Sequence, residues 1–455
     1  MKIAVIGSGI AGLSTAWLLA RDTASRHEVV LFEKDARLGG HTNTIDVTLD
    51  GITHPVDTGF LVYNDWTYPN LIGLFKALNI DTAASDMSFS VKLMDATRRG
   101  RLEWCGSDDL TTAFAQPTNL LRPRFLGMLL DLMRFNREAL ALARRNDEAA
   151  MPGTLGDYLA AKGYGAALRD WYLTPMAACI WSTPLDKVAH FPLAKFLTFC
   201  RDHGLLSVND RPKWRTVKNG AREYVRAITA SLPDVRCAQA VTAVKRTAGG
   251  LSLTANGRVE PFDQVVLACH SNQARALLDD TFAAQKSALG AIAFQDNVAV
   301  VHTDSCLLPD RARAWGAWNF LGWHESVPQP LRERAAGAPV SLSYLINKLQ
   351  PVPFKRPVIV TMNPLFAPEP SSVLARIPYA HPLFLKHSTD AQRAIRTVQG
   401  RDGLWIAGAW TRYGFHEDGV MSGVSIAKAL GADIPWASNT PAANDLTTPY
   451  PGVDA

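Results

Sequence analysis

Residues 2–12 read KIAVIGSGIAG, with Gly7, Gly9 and Gly12 in the spacing G-x-G-x-x-G. The KIAVI run before them is apolar and β-branched, which suits a strand buried on both faces. The stretch after them, LSTAWLLARD, sets Leu13, Ala16, Trp17 and Ala20 at helical spacing, and a second apolar run, EVVLF, ends at Glu33. Strand, glycine turn, helix, strand and acid in that order are the fingerprint of a dinucleotide-binding βαβ unit. Gly7 permits the tight turn. Gly9, with Ala11 beside it in the first helical turn, lets backbone approach a pyrophosphate whose charge meets the helix N-terminal amides. Gly12 lets helix and strand pack closely. Glu33, followed by Lys34, is placed to accept hydrogen bonds from a ribose diol, and its charge disfavours a 2′-phosphate.

The same stretch mimics a secretion signal, since Lys2 precedes apolar residues. The three glycines interrupt that run, and no window of eighteen uninterrupted apolar residues occurs, so neither signal nor membrane span is expected. At 455 residues, two or three domains are expected. A net charge of +5 is mild, and without a block of like charge no nucleic-acid partner is expected. The six cysteines are scattered without a C-x-x-C pair, which points to reduced, buried thiols in a cytoplasmic enzyme. No metal-ligand constellation, nucleophile elbow or P-loop is present, so no metal is expected.

Further motifs narrow the reading. KDARLGGHTNT carries Arg37, Gly39, Gly40 and His41 as R-x-G-G-H, and HPVDTGFLVYN carries Asp57, Thr58 and Gly59. GLWIAGAWTRYGFHEDGVMSGVSIAKAL reads as strand, Gly408, loop and a helix beginning near Gly419. Together these resemble the flavin-dependent amine oxidase superfamily, which includes monoamine oxidases, protoporphyrinogen oxidase and carotenoid desaturases. The resemblance implies an α/β fold with a discontinuous Rossmann-like FAD-binding domain and an interleaved α+β substrate domain. It implies FAD as cofactor, with Thr58 and Gly59 against the flavin, His41 holding phosphate or backbone, and Val241 against adenine. Gly408 would meet the pyrophosphate, and Gly419 and Val420 would lie at a helix N-terminus facing the flavin. One departure is Ala409, where the family often has an acid. The FAD domain is expected over about 1–75, 205–285 and 395–432, the substrate domain over about 76–204 and 286–394, and a loosely held Pro-, Asn- and Thr-rich tail over 433–455.

Two segments, SLSYLINKLQPV with VIVTMNP and GFHEDG, resemble a bacterial subgroup that includes flavin-dependent desaturases of furan-fatty-acid synthesis. That likeness implies dehydrogenation of a lipid acyl chain, from a methyl-branched or unsaturated fatty acid or phospholipid, by hydride transfer to flavin N5. An amine oxidase, a flavin-dependent isomerase and a non-catalytic FAD protein that presents lipid remain as alternatives. His416 and Glu417, just before the flavin-facing helix, are candidates for catalysis, although Glu417 and Asp418 equally suit helix caps. Tyr63 follows the Asp57–Gly59 turn, and Asn347 stands with Tyr344 and Lys348 in what reads as a strand crossing the substrate domain.

An independent hint of lipid is LLRPRFLGMLLDLMRFNREALALARR. Phe125, Met128, Leu129 and Leu132 share a helical face, Leu126, Leu130 and Met133 widen it, and Arg122, Arg124, Arg134 and Arg137 lie nearby. An interfacial helix on anionic lipid has this pattern, and so does a packed helix with a solvated arginine face. Peripheral contact through about 120–135, at the inner face of the membrane, is therefore expected. The dense aromatics Trp171, Tyr172, Trp181, Trp315, Trp318, Phe320 and Trp323 fit a core or an apolar tunnel alike. Nothing in the sequence fixes an oligomeric state.

Overall fold

The KIAVI run forms β1 (Lys2–Ile6) at the centre of a five-stranded parallel sheet. The computed structural model describes residues 1–21, 27–145, 147–181, 183–207, 211–329, 338–384 and 388–437. Across the sheet the order is Asp234–Arg236, β2 (Glu28–Phe32), β1, Gln264–Leu267 and Leu404–Ile406. β1, β2 and Gln264–Leu267 are apolar beyond their first residues because both faces are covered, whereas the edge strand Asp234–Arg236 is only partly buried. Ile3 and Val5 pack toward α1 (Ile10–Arg21) and the C-terminal helix His416–Ala429. Ala4 and Ile6 pack toward the opposite layer, a three-stranded sheet of residues 241–262. The hairpin read from GGLSLTANGRVEPF is there, as Gly250–Ala255 paired with Arg258–Phe262.

A second, seven-stranded mixed sheet is built from two stretches of chain, 89–106 and 293–383. Between them in sequence comes a helical layer. A short helix, α2 (Pro69–Ala77), lies at the first sheet's side, and α3 (Pro123–Ala143) opens with a proline at its first position, where the missing N–H costs nothing. Phe125, Met128, Phe135, Ala139 and Ala143 recur at helical spacing and are buried against helices of residues 155–200 and strands of the second sheet. Each fully buried phenylalanine there contributes roughly 1.5–3 kcal/mol. The small sheet of Tyr63–Asn64, Trp214–Val217 and Thr82–Ala84 ties the two layers together.

Four expectations change. LSYL is a strand, but INKL is a helical turn, Ile346–Leu349, so Asn347 is not on a strand. The last helix begins at His416, three residues before Gly419. The chain does not loosen at 433: Ile434 and Trp436 are buried, and Trp436 stacks on Trp17 and donates from Nε1 to Asn70 Oδ1 at 3.0 Å. Residues 438–455 of the expected tail lie outside the described residues. No cysteine is bridged; Cys105, Cys179 and Cys200 are buried, but Cys306 is exposed, contrary to the expectation of burial. Among the described residues no helix is long and apolar enough to cross a membrane, and no cluster of metal ligands occurs.

Candidate flavin and substrate cavity

The glycine turn is locked from three sides. The Gly7 N–H donates to Phe32 O at 2.8 Å, joining the ends of β1 and β2. A Cβ at Gly12 would lie 1.9 Å from Gly7 O, so helix and turn touch backbone to backbone. Ser8 donates from N and Oγ to Glu33 Oε2 at 2.9 and 2.6 Å, and its own carbonyl and hydroxyl accept from the Gly39 N–H. The R-x-G-G-H turn therefore docks directly on the first glycine turn. Its Gly40 has φ +57°, and a Cβ there would meet Gly9 Cα at 3.1 Å. Arg37 shapes this turn by donating to the carbonyls of Leu38, Gly40 and Thr42.

A cavity of about 2200 Å³ opens from this junction. It exceeds the ~300–1000 Å³ of an ordinary small-molecule pocket and has room for a dinucleotide and a substrate together. Gly7, Gly9, Ala11, Glu33, Lys34, Gly40, His41, Gly59, Val241, Gly408 and His416 line it. Gly12, Gly39, Thr58, Gly419 and Val420 do not, and each supports the wall from behind. A Cβ at Gly419 would sit 2.7 Å from Ile10 Cγ2, so this glycine brings the last helix onto α1, and Val420 is core. Thr58 Oγ1 donates to Asn43 O at 2.8 Å and pairs with Tyr379 OH. The neighbouring Asp57 accepts from Thr44 Oγ1, the Ala221 N–H and Gln350 Nε2, knotting three distant segments. Burial pushes its pKa up to about 6 against those hydrogen bonds.

These residues fit FAD. No atom lies within 4 Å of a Cβ built on Gly9, so bare backbone faces the cavity beside the N-terminus of α1. Among the described residues Glu33 Oε1 accepts only from the Asp35 N–H, leaving capacity for ribose hydroxyls. His41 lines the cavity beside Gly40, while its Nε2 is turned out of reach of solvent.

Of the four catalytic candidates, only His416 lines the cavity. Its ring stacks on Phe60 with centroids 3.7 Å apart, and Nε2 hydrogen-bonds with Tyr224 OH at 2.8 Å and Thr42 Oγ1 at 3.2 Å. Burial lowers its pKa to about 3, so it is neutral near pH 7. Glu417 turns away from the cavity. Its carboxylate accepts from the Asn70 N–H, Asn70 Nδ2 and the Leu71 N–H at 2.7–3.0 Å, capping the N-terminus of α2. Burial pushes its pKa up to about 8, opposed by those hydrogen bonds. Asp418 accepts from the Phe415 N–H at 2.9 Å and caps its own helix. Tyr63 packs in the core between Tyr68 and Phe75. Asn347 donates to the Phe354 and Arg356 carbonyls and accepts from the Val358 N–H, which makes it a loop clamp. Glu417, Tyr63 and Asn347 therefore play structural parts and do not face the cavity.

Sequence reasoning missed several wall residues. Ser8 was hidden inside the glycine motif. His41, already expected at the cofactor, clusters with His270, His381 and Tyr379, which were not, and lies 5.0–5.8 Å from their rings. Burial lowers His41 and His270 to about 4 and His381 to about 3. These come from three separate chain segments, so no local signal unites them. Beyond Phe415 the wall turns apolar, with Phe89, Trp104, Leu129, Leu132, Tyr172, Met176, Phe199, Trp318 and Tyr344. Here aromatic density was the available signal, and it marked Tyr172 and Trp318. Polar residues interrupt this chamber, among them Lys348, whose Nζ pairs with Asp86 Oδ2 at 3.3 Å, and Arg215.

Residues 10–320 match the family described as flavin containing amine oxidoreductase. No curated protein sequence matches the chain. Among solved structures, a CLA-producing fatty acid isomerase from P. acnes is similar, with TM-score 0.65 and 14% identity, covering 94% of this chain and 98% of that one. A putrescine oxidase mutant gives TM-score 0.64 at 16% identity, with 94% and 98% covered. Cyclohexylamine oxidase from Brevibacterium oxydans gives 0.63 at 14%, with the same coverage. The glycine cradle, the cavity that follows it and the match over more than half the chain lead to one conclusion: the chain belongs to the flavin-containing amine oxidoreductases and is an FAD-dependent oxidoreductase.

Proposed function

We propose that the protein dehydrogenates a lipid acyl chain, removing two hydrogens from a carbon–carbon unit next to existing unsaturation or a methyl branch. The observation that carries this reading is the chamber itself. Past the cradle the cavity continues between Phe89, Trp104, Leu129, Tyr172, Met176 and Trp318, a wall suited to a long apolar chain. The fatty acid isomerase among the similar structures supports it at the level of fold. FAD, when bound, would supply the hydride acceptor, and the second hydrogen would leave as a proton to water. The chain's own residues do the rest. Gly9, Gly40 and the α1 N-terminus would hold the diphosphate, Glu33 the ribose, and Val241 the adenine side, all of them lining the cavity. The aromatic walls orient the acyl chain and exclude water. His416, neutral and fixed by Phe60, Tyr224 and Thr42, forms the floor where the cradle meets the chamber. Its weak basicity suits a positioning group rather than a strong base.

An unactivated C–H is a poor acid, so an allylic or branched position is the expected point of attack. The test is product analysis. FAD-loaded protein incubated with unsaturated and methyl-branched acyl phospholipids should yield chains lighter by two hydrogens. Positional isomers of unchanged mass would favour the isomerase reading instead. Peroxide released from small amines would favour the amine oxidase.

A further inference from the structure

The outer side of α3 and of the turn Pro117–Leu121 before it is apolar where a surface segment is usually charged. Leu121 is 85% exposed, Leu130 64%, Met133 60%, Leu120 55% and Leu126 38%, all within fourteen residues of chain. Leu126, Leu130, Met133 and Arg137 follow one another at i, i+4, i+7 and i+11, a single outward stripe. Contiguous apolar surface of this kind marks an interaction site. Its position adds a second observation. Leu129, Leu132, Met133 and Asn136 of the same helix line the cavity, and Met133 belongs to both faces. The exposed stripe and the apolar chamber therefore share a rim. Charge adds a third. Residues 120–145 carry six arginines and two acids. Both acids point back into the protein: Asp131 accepts from the Gly165 N–H, and Glu138 from Tyr164 OH with Lys162 nearby. Arg137, Arg144 and Arg145 are exposed and outside every ion pair among the described residues. At the cavity wall Arg211 and Lys213 are exposed, as are Asp108 and Asp109, so the excess of positive charge lies on α3 itself.

We infer that this face docks on an anionic lipid surface, with Leu121, Leu126 and Leu130 immersed among acyl chains and the arginines on the headgroup phosphates. An acyl chain then passes from bilayer to chamber across Met133 without entering water. The inference deepens the proposed function and rests on its acyl substrate. Apolar burial with flanking arginines is the chemistry of an interfacial helix.

The experiment is co-sedimentation of the FAD-loaded full chain with vesicles of phosphatidylglycerol and phosphatidylcholine, against vesicles of phosphatidylcholine alone. The wild type should sediment with the anionic vesicles, and binding should weaken as salt rises. Leu121→Gln/Leu126→Gln/Leu130→Gln should bind those vesicles roughly tenfold less or weaker still, with bound FAD and melting temperature unchanged. Arg137→Gln/Arg144→Gln should lose the preference for the anionic vesicles. No sedimentation of the wild type, or equal sedimentation of the leucine variant, overturns the inference. So does a wild-type dimer that the leucine variant converts to monomer while neither binds vesicles. The salt series uses the unaltered protein and does not depend on any variant folding. Vesicle binding is read without turnover, so a protein that docks but leaves acyl chains intact refutes the proposed function alone. One that dehydrogenates detergent-dispersed lipid without docking refutes only this inference.

Discussion

Glycines nine and twelve differ by three positions and do opposite things. A methyl group on Gly9 meets no atom within 4 Å, whereas one on Gly12 meets Gly7 O at 1.9 Å. Gly9→Ala should therefore fold with an unchanged melting temperature but bind FAD at least about tenfold more weakly, as the methyl occupies the space of the diphosphate. Gly12→Ala should fail to accumulate as folded protein, a contrast that flavin fluorescence and thermal melting together reveal. Glu417 gives a second residue-scale test. In Glu417→Gln an amide N–H faces a backbone N–H of α2, which costs about 1–3 kcal/mol for a group left unsatisfied. The melting temperature should fall by several degrees while the rate of flavin reduction by substrate is retained; a slowed reduction in a protein of normal stability would return Glu417 to the chemistry. The carboxylate's role was not legible in the sequence because its partners, Asn70 and Leu71, lie 347 and 346 residues away. The cradle glycines were legible because their partners follow within one βαβ unit.

At the scale of elements, periodicity identified what local physics decides. The parallel strands read as continuous apolar runs, and α3 showed its wide apolar face. Periodicity did not separate the three faces of α3, since core, cavity wall and outer stripe all use Leu, Met and Phe. Nor did it find the turn at Ile346–Leu349, which INKL takes up because Asn347 bonds to residues 354–358. The helix Thr174–Trp181 offers the test of the chamber. Met176, on its cavity side, is buried and flexible. Met176→Trp should shorten the chamber and lower kcat/KM for long chains roughly tenfold or more relative to short ones. An unchanged chain-length profile would place the substrate elsewhere.

For the whole molecule, two ends of the sequence and a middle segment build one sheet, and the turns that dock on it were visible as motifs. Of the histidines packed between its parts only His41 and His416 stood in those motifs, and together the six govern its response to pH. Burial lowers His41, His203, His270 and His302 to about 4, and His381 and His416 to about 3, from an ordinary 6.5. A histidine with a depressed folded pKa contributes stability that is full above 6.5 and is lost as pH falls, because the unfolded chain takes up the proton first. Asp57 and Asp418, raised to about 6, and Glu417, raised to about 8, act in the opposite sense and lose their contribution as pH rises. Six histidines outweigh three carboxyls below 6.5, so stability of the FAD-loaded protein should climb from pH 4.5 to about 6.5; above that Glu417 alone still titrates, and stability should decline gently toward pH 8; denaturant midpoints across that range check it. The central claim is that a flavin cradle opens into an acyl-chain chamber. Its most direct measurement is anaerobic mixing of the FAD-loaded protein with an unsaturated or methyl-branched acyl phospholipid while flavin absorbance is followed. The account predicts bleaching by the lipid and none by putrescine or cyclohexylamine; bleaching by an amine, with the lipid inert, would contradict it.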